Sequence, residues 1–347
     1  MNSKKIVTVT FSLLLSALLV MGSINFAIDP LFQYHKPWFG LEPYIVNVHY
    51  QGAGIAKNFE FDNVALGNSL SENFVVADLN EALDGKTAKL TSSGTYVFDW
   101  TFLLNILADR NKHPERILMN MDPNFFVKES ERDTTPFQKF LCDNNYLNDV
   151  EYLYNFTLTK KYTFRSIDAN MNNSIPDPNL LFMWDGGDAC GKEIALKNYY
   201  IDKEKGEWGS CIYTDSNLEL LKEYFIKMEN TEFIFFCSPY SVLFWYDIIE
   251  RGLFQEYKEA YEKCFEFMSQ FDNVSVYFWT DSEMKNIISN LENYKDSYHY
   301  GAHINKIILE RIGNNEGLLP KKESEWQPLL DEYFEYLENF DYEKIFN

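Results

Sequence analysis

The amino-acid sequence predicts an α/β protein in which helices cover both faces of a central parallel sheet. One predicted transmembrane helix precedes this body at the N-terminus. Short apolar runs of strand length alternate with amphipathic helix patterns over residues 61–125 and again from residue 218 onward. Such alternation is typical of a parallel sheet. Hydrophobic residues make up 46% of the 347 residues and aromatic residues 17%, so the chain has ample material for a large buried core.

The N-terminus carries the transmembrane prediction. Lys4 and Lys5 precede an apolar run from Ile6 to Ile28, in which Asn25 is the only strongly polar residue. The run exceeds the roughly 20 residues that cross a bilayer as a helix, and the positive flank predicts a cytoplasmic N-terminus with the body outside. A cleaved signal peptide is the alternative, although the run is long for one and no clear A-x-A site follows it. Either interpretation exports the body.

The remaining elements follow in a regular order. Residues 29–60 begin with an aromatic, proline-punctuated stretch and predict an extended collar that leads away from the membrane. The predicted strands are Phe61–Leu66, Ala88–Leu90, Ile117–Met121, Glu232–Cys237 and Val274–Trp279. The predicted helices are Val97–Arg110, Leu218–Met228, Tyr257–Phe271, His303–Ile312 and an acidic tail, Glu323–Asn347. Residues 126–215, rich in Asn, Asp, Tyr and Lys, predict an irregular insertion within a domain that spans residues 61–347.

Charge and cysteine content exclude some classes of function. The chain has 31 Lys and Arg against 52 Asp and Glu, a formal net charge of -21, and such a body repels nucleic-acid phosphates. None of the five cysteines forms a CxxC pair or a Cys/His cluster with zinc spacing, so we expect no metal site. We also expect no cofactor. Cys190 and Cys211 flank a loop and could form a disulfide, but connectivity cannot be read from sequence.

A serine directly after the first strand is the sharpest local feature. The segment Gly67-Asn68-Ser69 ends that strand and is expected to open a helix, whose free N–H groups favour the oxyanion that a serine nucleophile generates. The alternative is a helix cap, because Ser69 and Glu72 match a capping box. The flanking residues do not match the GxSxG elbow.

A second motif supplies the other groups that a serine nucleophile needs. Asp296 and His299 lie three residues apart in a loop before the last sheet-covering helix. A histidine can take the serine proton, and a carboxylate can hold the required tautomer. His303, one helical turn later, leaves a metal site as an alternative with less support, because no further ligand cluster stands out.

Together these motifs resemble the SGNH/GDSL hydrolase superfamily. That resemblance implies a flavodoxin-like three-layer sandwich with Ser69, Asp296 and His299 as the catalytic triad. It also implies an oxyanion hole formed by Ser69, by Gly94 after the second strand, and by a third-block asparagine. The third block normally reads Gly-x-Asn, whereas this chain has Asp122-Pro-Asn124. Asn124 is therefore the expected amide donor, and the departure at Asp122 leaves its role structural or substrate-binding.

The resemblance is closest to single-anchor bacterial envelope proteins related to the lipoteichoic-acid D-alanylation and alginate acetylation proteins. The collar, Asn73-Phe74 and Ser238-Pro239-Tyr240 carry it. It implies an esterase or O-acyltransferase at the bacterial cell membrane that acts on cell-surface polymers beside a multipass acyltransferase, with Asn73, Asp122 and Tyr240 near substrate. A catalytically silent binding or accessory protein of such a complex is the main alternative. A purely structural envelope protein is the other.

Overall fold

The computed structural model describes residues 3–122, 137–143, 145, 147–199, 211 and 214–346. The chain divides into two compact units. The anchor unit consists of Met1–Glu60 with Phe137–Pro178, and the sheet unit consists of Phe61–Pro136 with Asn179–Asn347. Part of the segment predicted as an insertion in the domain of residues 61–347 therefore clusters with the N-terminal helix and the collar.

The sheet unit is built on five parallel strands, as the sequence predicts. They are β1 (Asn63–Gly67), β2 (Thr87–Thr91), β3 (Arg116–Met121), β4 (Glu232–Cys237) and β5 (Val274–Tyr277). Nearly every strand residue is buried, which suits a sheet covered on both faces. The strand order is β2-β1-β3-β4-β5, so the direction of winding reverses between β1 and β3. In doubly wound sheets ligands bind at the carboxyl ends of the strands beside this reversal.

Two groups of helices pack around the sheet. The helices of this unit are α3 (Val76–Ala82), α4 (Val97–Ala108), α9 (Lys192–Asn198), α10 (Thr214–Lys227), α11 (Val242–Glu250), α12 (Phe254–Ser269), α13 (Ser282–Ser289), α14 (Ala302–Gly313), α15 (Glu323–Glu338) and α16 (Glu343–Phe346). Helix α10 contacts both α4 and α12, whereas α3 contacts α14. Right-handed crossovers from a sheet that reverses direction produce two such groups, one on each face.

The anchor unit contains the predicted N-terminal helix. Its helices are α1 (Ser3–Ile28), α2 (Val48–Asn58), α5 (Lys139–Cys142), α6 (Val150–Leu153), α7 (Phe156–Leu158) and α8 (Phe164–Met171), with a π-helical turn at Thr159–Thr163. Helix α1 is long and apolar enough to cross a membrane. Because Gly52 and Gly54 lower helix propensity, the sequence pattern did not reveal α2.

The collar is compact rather than extended as the sequence predicted. Asp29 is fully buried directly after α1 and has a positive φ of 41°. Its carboxylate accepts hydrogen bonds from the backbone N–H groups of Gln33, Tyr34 and His35 at 2.7 to 3.0 Å, and from the Tyr152 hydroxyl at 2.9 Å. An aspartate that gathers three successive N–H groups forces the chain to turn.

Candidate active site

Ser69 lies in a short turn at the carboxyl end of β1. Residues Ser69–Ser71 form a single 3₁₀ turn, and the α-helix begins only at Val76. Ser69 therefore opens a single 3₁₀ turn rather than a longer helix. Asn68 acts as the cap, because its side chain accepts the Leu70 N–H at 3.0 Å. The Ser69 hydroxyl is left for another partner.

Asn120 on the neighbouring strand β3 stabilises this turn through hydrogen bonds. Its side-chain oxygen accepts the Asn68 N–H at 3.2 Å and the Ser71 hydroxyl at 3.0 Å. A Cβ on Gly67 would lie 2.3 Å from that same oxygen, so only glycine fits where β1 passes Asn120. Asn120 was not singled out from the sequence. The signal was there, because a fully buried polar residue within an apolar strand needs hydrogen-bond partners.

His299 joins the two predicted motifs. Its Nε2 lies 2.8 Å from Ser69 Oγ, and its Nδ1 lies 2.7 Å from Asp296 Oδ2. An ionised carboxylate can only accept, so in neutral His299 the hydrogen belongs on Nδ1, and Nε2 is the acceptor for the serine hydroxyl. The structure thus brings the three predicted catalytic residues into one chain of hydrogen bonds.

Asp296 is held in a fixed orientation by its own loop. Its Oδ1 accepts the backbone N–H groups of Tyr298 at 3.0 Å and His299 at 2.8 Å. Burial acts to raise the pKa of Asp296, but the His299 contact and the two N–H groups outweigh it, and the pKa lies below its ordinary value. Asp296 is therefore ionised at neutral pH and suited to orient His299.

The loop that carries Asp296 and His299 is tied down at both ends. Tyr294 and Tyr300 form an antiparallel bridge, and the Lys295 N–H donates to the His299 carbonyl at 2.8 Å. The Tyr294 hydroxyl, which is buried, donates to the Pro239 carbonyl after β4 at 2.6 Å. A short loop fixed in this way holds its side chains in position without relying on substrate.

Trp184 and Asp185 also lie around the triad, although no motif in the sequence pointed to them. The Trp184 indole N–H donates to the Ser69 carbonyl at 2.9 Å, and its ring meets the His299 ring edge-on at 5.7 Å. Asp185 accepts the Ala302 N–H at 2.8 Å, at the start of α14. These two residues therefore connect the turn Ser69–Ser71, called the serine turn below, with the loop that carries Asp296 and His299.

Asn73 is buried and holds the Trp184 segment in place. Its side-chain oxygen accepts the N–H groups of Trp184 at 3.1 Å and Asp185 at 3.0 Å, and its amide donates to the Tyr300 carbonyl at 3.4 Å. It was expected to bind substrate. Because both ends of its amide are engaged within the protein, the structure favours a positioning role.

Lys89 on β2 is a buried lysine that anchors the same two segments. Its ammonium donates to the carbonyls of Glu72 at 2.5 Å, Phe74 at 2.6 Å and Leu181 at 2.6 Å. Burial lowers the pKa of Lys89 to about 7, against the opposing influence of the Glu72 carboxylate. Lys89 therefore fixes the chain just after the serine turn and just before Trp184.

Asp122 and Tyr240, both expected near substrate, are withheld from solvent. Asp122 is fully buried at the end of β3 and accepts hydrogen bonds from Asn120 and Asn68. Burial raises the pKa of Asp122 to about 6, despite those hydrogen bonds. Tyr240 is 1% exposed and stacks on Phe244 at 4.2 Å. Asp122 can affect the serine turn through Asn68, and Tyr240 through its hydrogen bond with Asp122, which again favours a positioning role.

The predicted oxyanion hole is described in part. No hydrogen-bond acceptor for the Ser69 N–H lies among the residues that the structure describes. Gly94 is exposed in the turn after β2, with a φ of +68° that favours glycine. The buried Glu72 carboxylate accepts hydrogen bonds from the Ser93 N–H at 2.6 Å and from the Ser93 hydroxyl at 2.5 Å. This fixes the Gly94 turn to the serine turn. Asn124 lies outside the described residues.

The metal and disulfide alternatives find no support in the described part of the chain. His303 is exposed, and its Nε2 lies 3.0 Å from Asn293 Oδ1. Among the described residues, no three His, Cys, Asp or Glu side chains form a group that could hold a metal ion. Cys190 and Cys211 are both free thiols.

Comparison of the chain with protein-family models and with curated proteins finds no match. The interpretation of the site therefore depends on its geometry. Histidine between a serine and a carboxylate, at hydrogen-bonding distance from both, is the arrangement that generates a serine nucleophile on many unrelated folds.

Proposed function

We propose that this protein is an extracytoplasmic serine esterase or O-acyltransferase of the SGNH type, anchored in the bacterial cell membrane, that acts on acyl esters of cell-surface glycans or wall polymers. The observation that carries the proposal is the line of hydrogen bonds from Ser69 through His299 to Asp296, at 2.8 and 2.7 Å. The position of Ser69 after β1, beside the reversal of strand order, also supports it.

The proposed reaction is a double displacement. His299 Nε2 takes the Ser69 proton as Oγ attacks the ester carbonyl carbon, and the N–H groups of Ser69 and Gly94 stabilise the oxyanion together with Asn124. Collapse of this intermediate releases the alcohol, which takes the proton from His299, and leaves an acyl-serine. The steps proposed here require no cofactor.

The second acceptor decides between hydrolase and transferase. Water at the acyl-serine gives an esterase, whereas a sugar or polyol hydroxyl gives a transferase, and His299 removes the acceptor proton in both cases. As a transferase the protein would take its acyl group from a donor such as a multipass membrane acyltransferase. The proposed orientation places this chemistry outside the cell, since Lys4 and Lys5 flank the cytoplasmic end of α1.

Turnover of a chromogenic acyl ester by full-length protein tests the proposal. Ser69→Ala should abolish turnover while leaving the thermal unfolding temperature unchanged, because the hydroxyl contacts only His299 among the described residues. Ser282→Ala, at an exposed position on α13, is the matched control and should keep full activity. Unchanged turnover by Ser69→Ala would refute the proposal. Adding a sugar acceptor and measuring the ratio of acyl-sugar to free acid then separates transferase from esterase.

A further inference from the structure

Residues 147–171 of the anchor unit carry a concentration of exposed apolar side chains. Single exposed apolar residues are ordinary, but contiguous apolar patches mark surfaces that bind proteins or membranes. The exposed members of this segment are Leu147, Val150, Tyr154, Phe156, Phe164 and Met171, of which Leu147 is 85% exposed and Phe156 is 70% exposed.

The same segment binds the C-terminal end of α1. Asn25 is fully buried there. Its amide nitrogen donates to the Leu153 carbonyl at 2.7 Å and the Thr159 hydroxyl at 2.8 Å, and its oxygen accepts the Thr163 hydroxyl at 2.7 Å. The hydrogen bonds of the one strongly polar residue of the apolar helix are therefore all made with the segment that carries these exposed apolar side chains.

The length of α1 indicates at what depth in a bilayer the Asn25 contacts would lie. Counted from Ile6 at about 1.5 Å per residue, Asn25 lies about 29 Å along the helix axis. The hydrocarbon core of a bilayer is about 30 Å thick. If Ile6 marks the cytoplasmic boundary, Asn25 lies at the opposite boundary, and residues 147–171 lie where the lipid headgroups begin.

Basic residues alternate with the apolar ones on the exposed surface. Phe156, Lys160, Lys161, Phe164 and Arg165 are all exposed. The three cations lie together at residues 160–165, whereas the exposed acidic residues of the segment, Glu151 and Asp168, lie outside that stretch. Aromatic residues interleaved with Lys and Arg are typical of helices that lie in the membrane interface and attract anionic lipids.

We propose that residues 147–171 lie on the membrane surface, with their exposed apolar side chains among the lipid headgroups and their cations on lipid phosphates. The bilayer is the occupant that fits, because the segment is bound to the end of the helix proposed to span it. Cleavage after Ile28 would remove Asn25 from its three partners, which favours a retained α1 over a cleaved signal peptide.

Photo-crosslinking of the full-length protein in phosphatidylglycerol-containing vesicles tests this inference. The photoreactive residue p-benzoylphenylalanine replaces Phe156 or Phe164 in separate preparations, and mass spectrometry measures the lipid adducts. Ile226 on α10, which is 62% exposed, receives the same residue as the matched control. We expect lipid adducts at both phenylalanine positions at several times the yield at Ile226. Equal yields, or crosslinks to a second copy of the chain instead of lipid, would overturn the proposal.

A charge reversal tests the electrostatic part with the surface otherwise intact. Lys160→Glu combined with Lys161→Glu should lower the adduct yield at Phe164 in anionic vesicles but not in phosphatidylcholine vesicles. Lys306→Glu, an exposed lysine of α14, is the control and should leave the yield unchanged. An unchanged yield in the double variant would overturn the assignment of lipid phosphate to these cations.

Discussion

Asp296→Asn should abolish the proposed acyl-ester turnover by reversing the histidine tautomer while leaving the fold intact. Asparagine is nearly isosteric, and its carbonyl oxygen should keep the two N–H groups of Tyr298 and His299. The opposite amide rotamer would leave both N–H groups without an acceptor, at about 1–3 kcal/mol each. The amide nitrogen therefore faces His299 Nδ1, which must then accept a hydrogen bond.

The hydrogen of the ring then moves to Nε2, where it faces Ser69 and blocks proton removal. We expect kcat to fall by about 10⁴, or about 5.4 kcal/mol of activation free energy, as a wrong histidine tautomer does in other serine enzymes. Initial rates of acyl-ester turnover measure this effect, and thermal unfolding verifies the fold. Asp188→Asn, an exposed carboxylate, is the control and should stay within twofold of the unmodified protein. Activity of Asp296→Asn within tenfold of that protein would refute the reasoning.

Three further substitutions test the residues around the triad. Trp184→Phe replaces the indole by a smaller aromatic ring and removes the N–H that donates to the Ser69 carbonyl, worth about 1 kcal/mol, so kcat should fall about fivefold with KM unchanged; a change in KM alone would contradict this. Asn73→Ala leaves the N–H groups of Trp184 and Asp185 without their acceptor and should lower the unfolding free energy in urea by about 2 kcal/mol; a loss below about 0.5 kcal/mol would contradict the positioning role. Asp122→Asn tests pH dependence. The folded pKa of about 6 lies above the ordinary 3.8, so this carboxyl's stabilising contribution is full below pH 3.8 and is lost as pH rises through about 6. Unfolding free energy of the unmodified protein should therefore fall across that window by about 3 kcal/mol relative to Asp122→Asn, and parallel curves would contradict this.

Matched controls distinguish these effects from the general cost of substitution. Trp38→Phe changes a partly exposed tryptophan of the anchor unit and should leave kcat unchanged. Asn286→Ala changes an exposed asparagine on α13 and should alter stability by less than about 0.5 kcal/mol.

Strands were predicted well because they are short, buried and sharply bounded. The prediction Glu232–Cys237 matches β4 at both ends, since an unbroken apolar run meets Ser238-Pro239. Helices α11 and α13 were not predicted. Helix α11 is apolar on nearly every side, so it lacks the periodicity of a half-exposed helix. Helix α13 has only eight residues and depends on tertiary packing rather than on its own propensity.

In the candidate site too, residues in a recognisable sequence pattern were predicted and residues outside one were not. Asp296 and His299 could be found because they are three residues apart and histidine is rare in this chain. Ser69 could be placed because a strand ends directly before it. Trp184 and Asp185 could not, because they belong to a segment without regular pattern. The contacts of Trp184 with Ser69 and of Asp185 with Ala302 depend on packing between residues more than a hundred positions apart.

Reaction of the full-length protein with a fluorophosphonate probe tests the central claim most directly, because such probes modify serines activated by a general base. The account predicts covalent labelling at Ser69, identified by peptide mass spectrometry, that is lost in Ser69→Ala and in His299→Ala while both variants keep the thermal unfolding temperature of the unmodified protein. Labelling that persists in His299→Ala, or no labelling of the correctly folded protein, would contradict the claim that His299 activates Ser69.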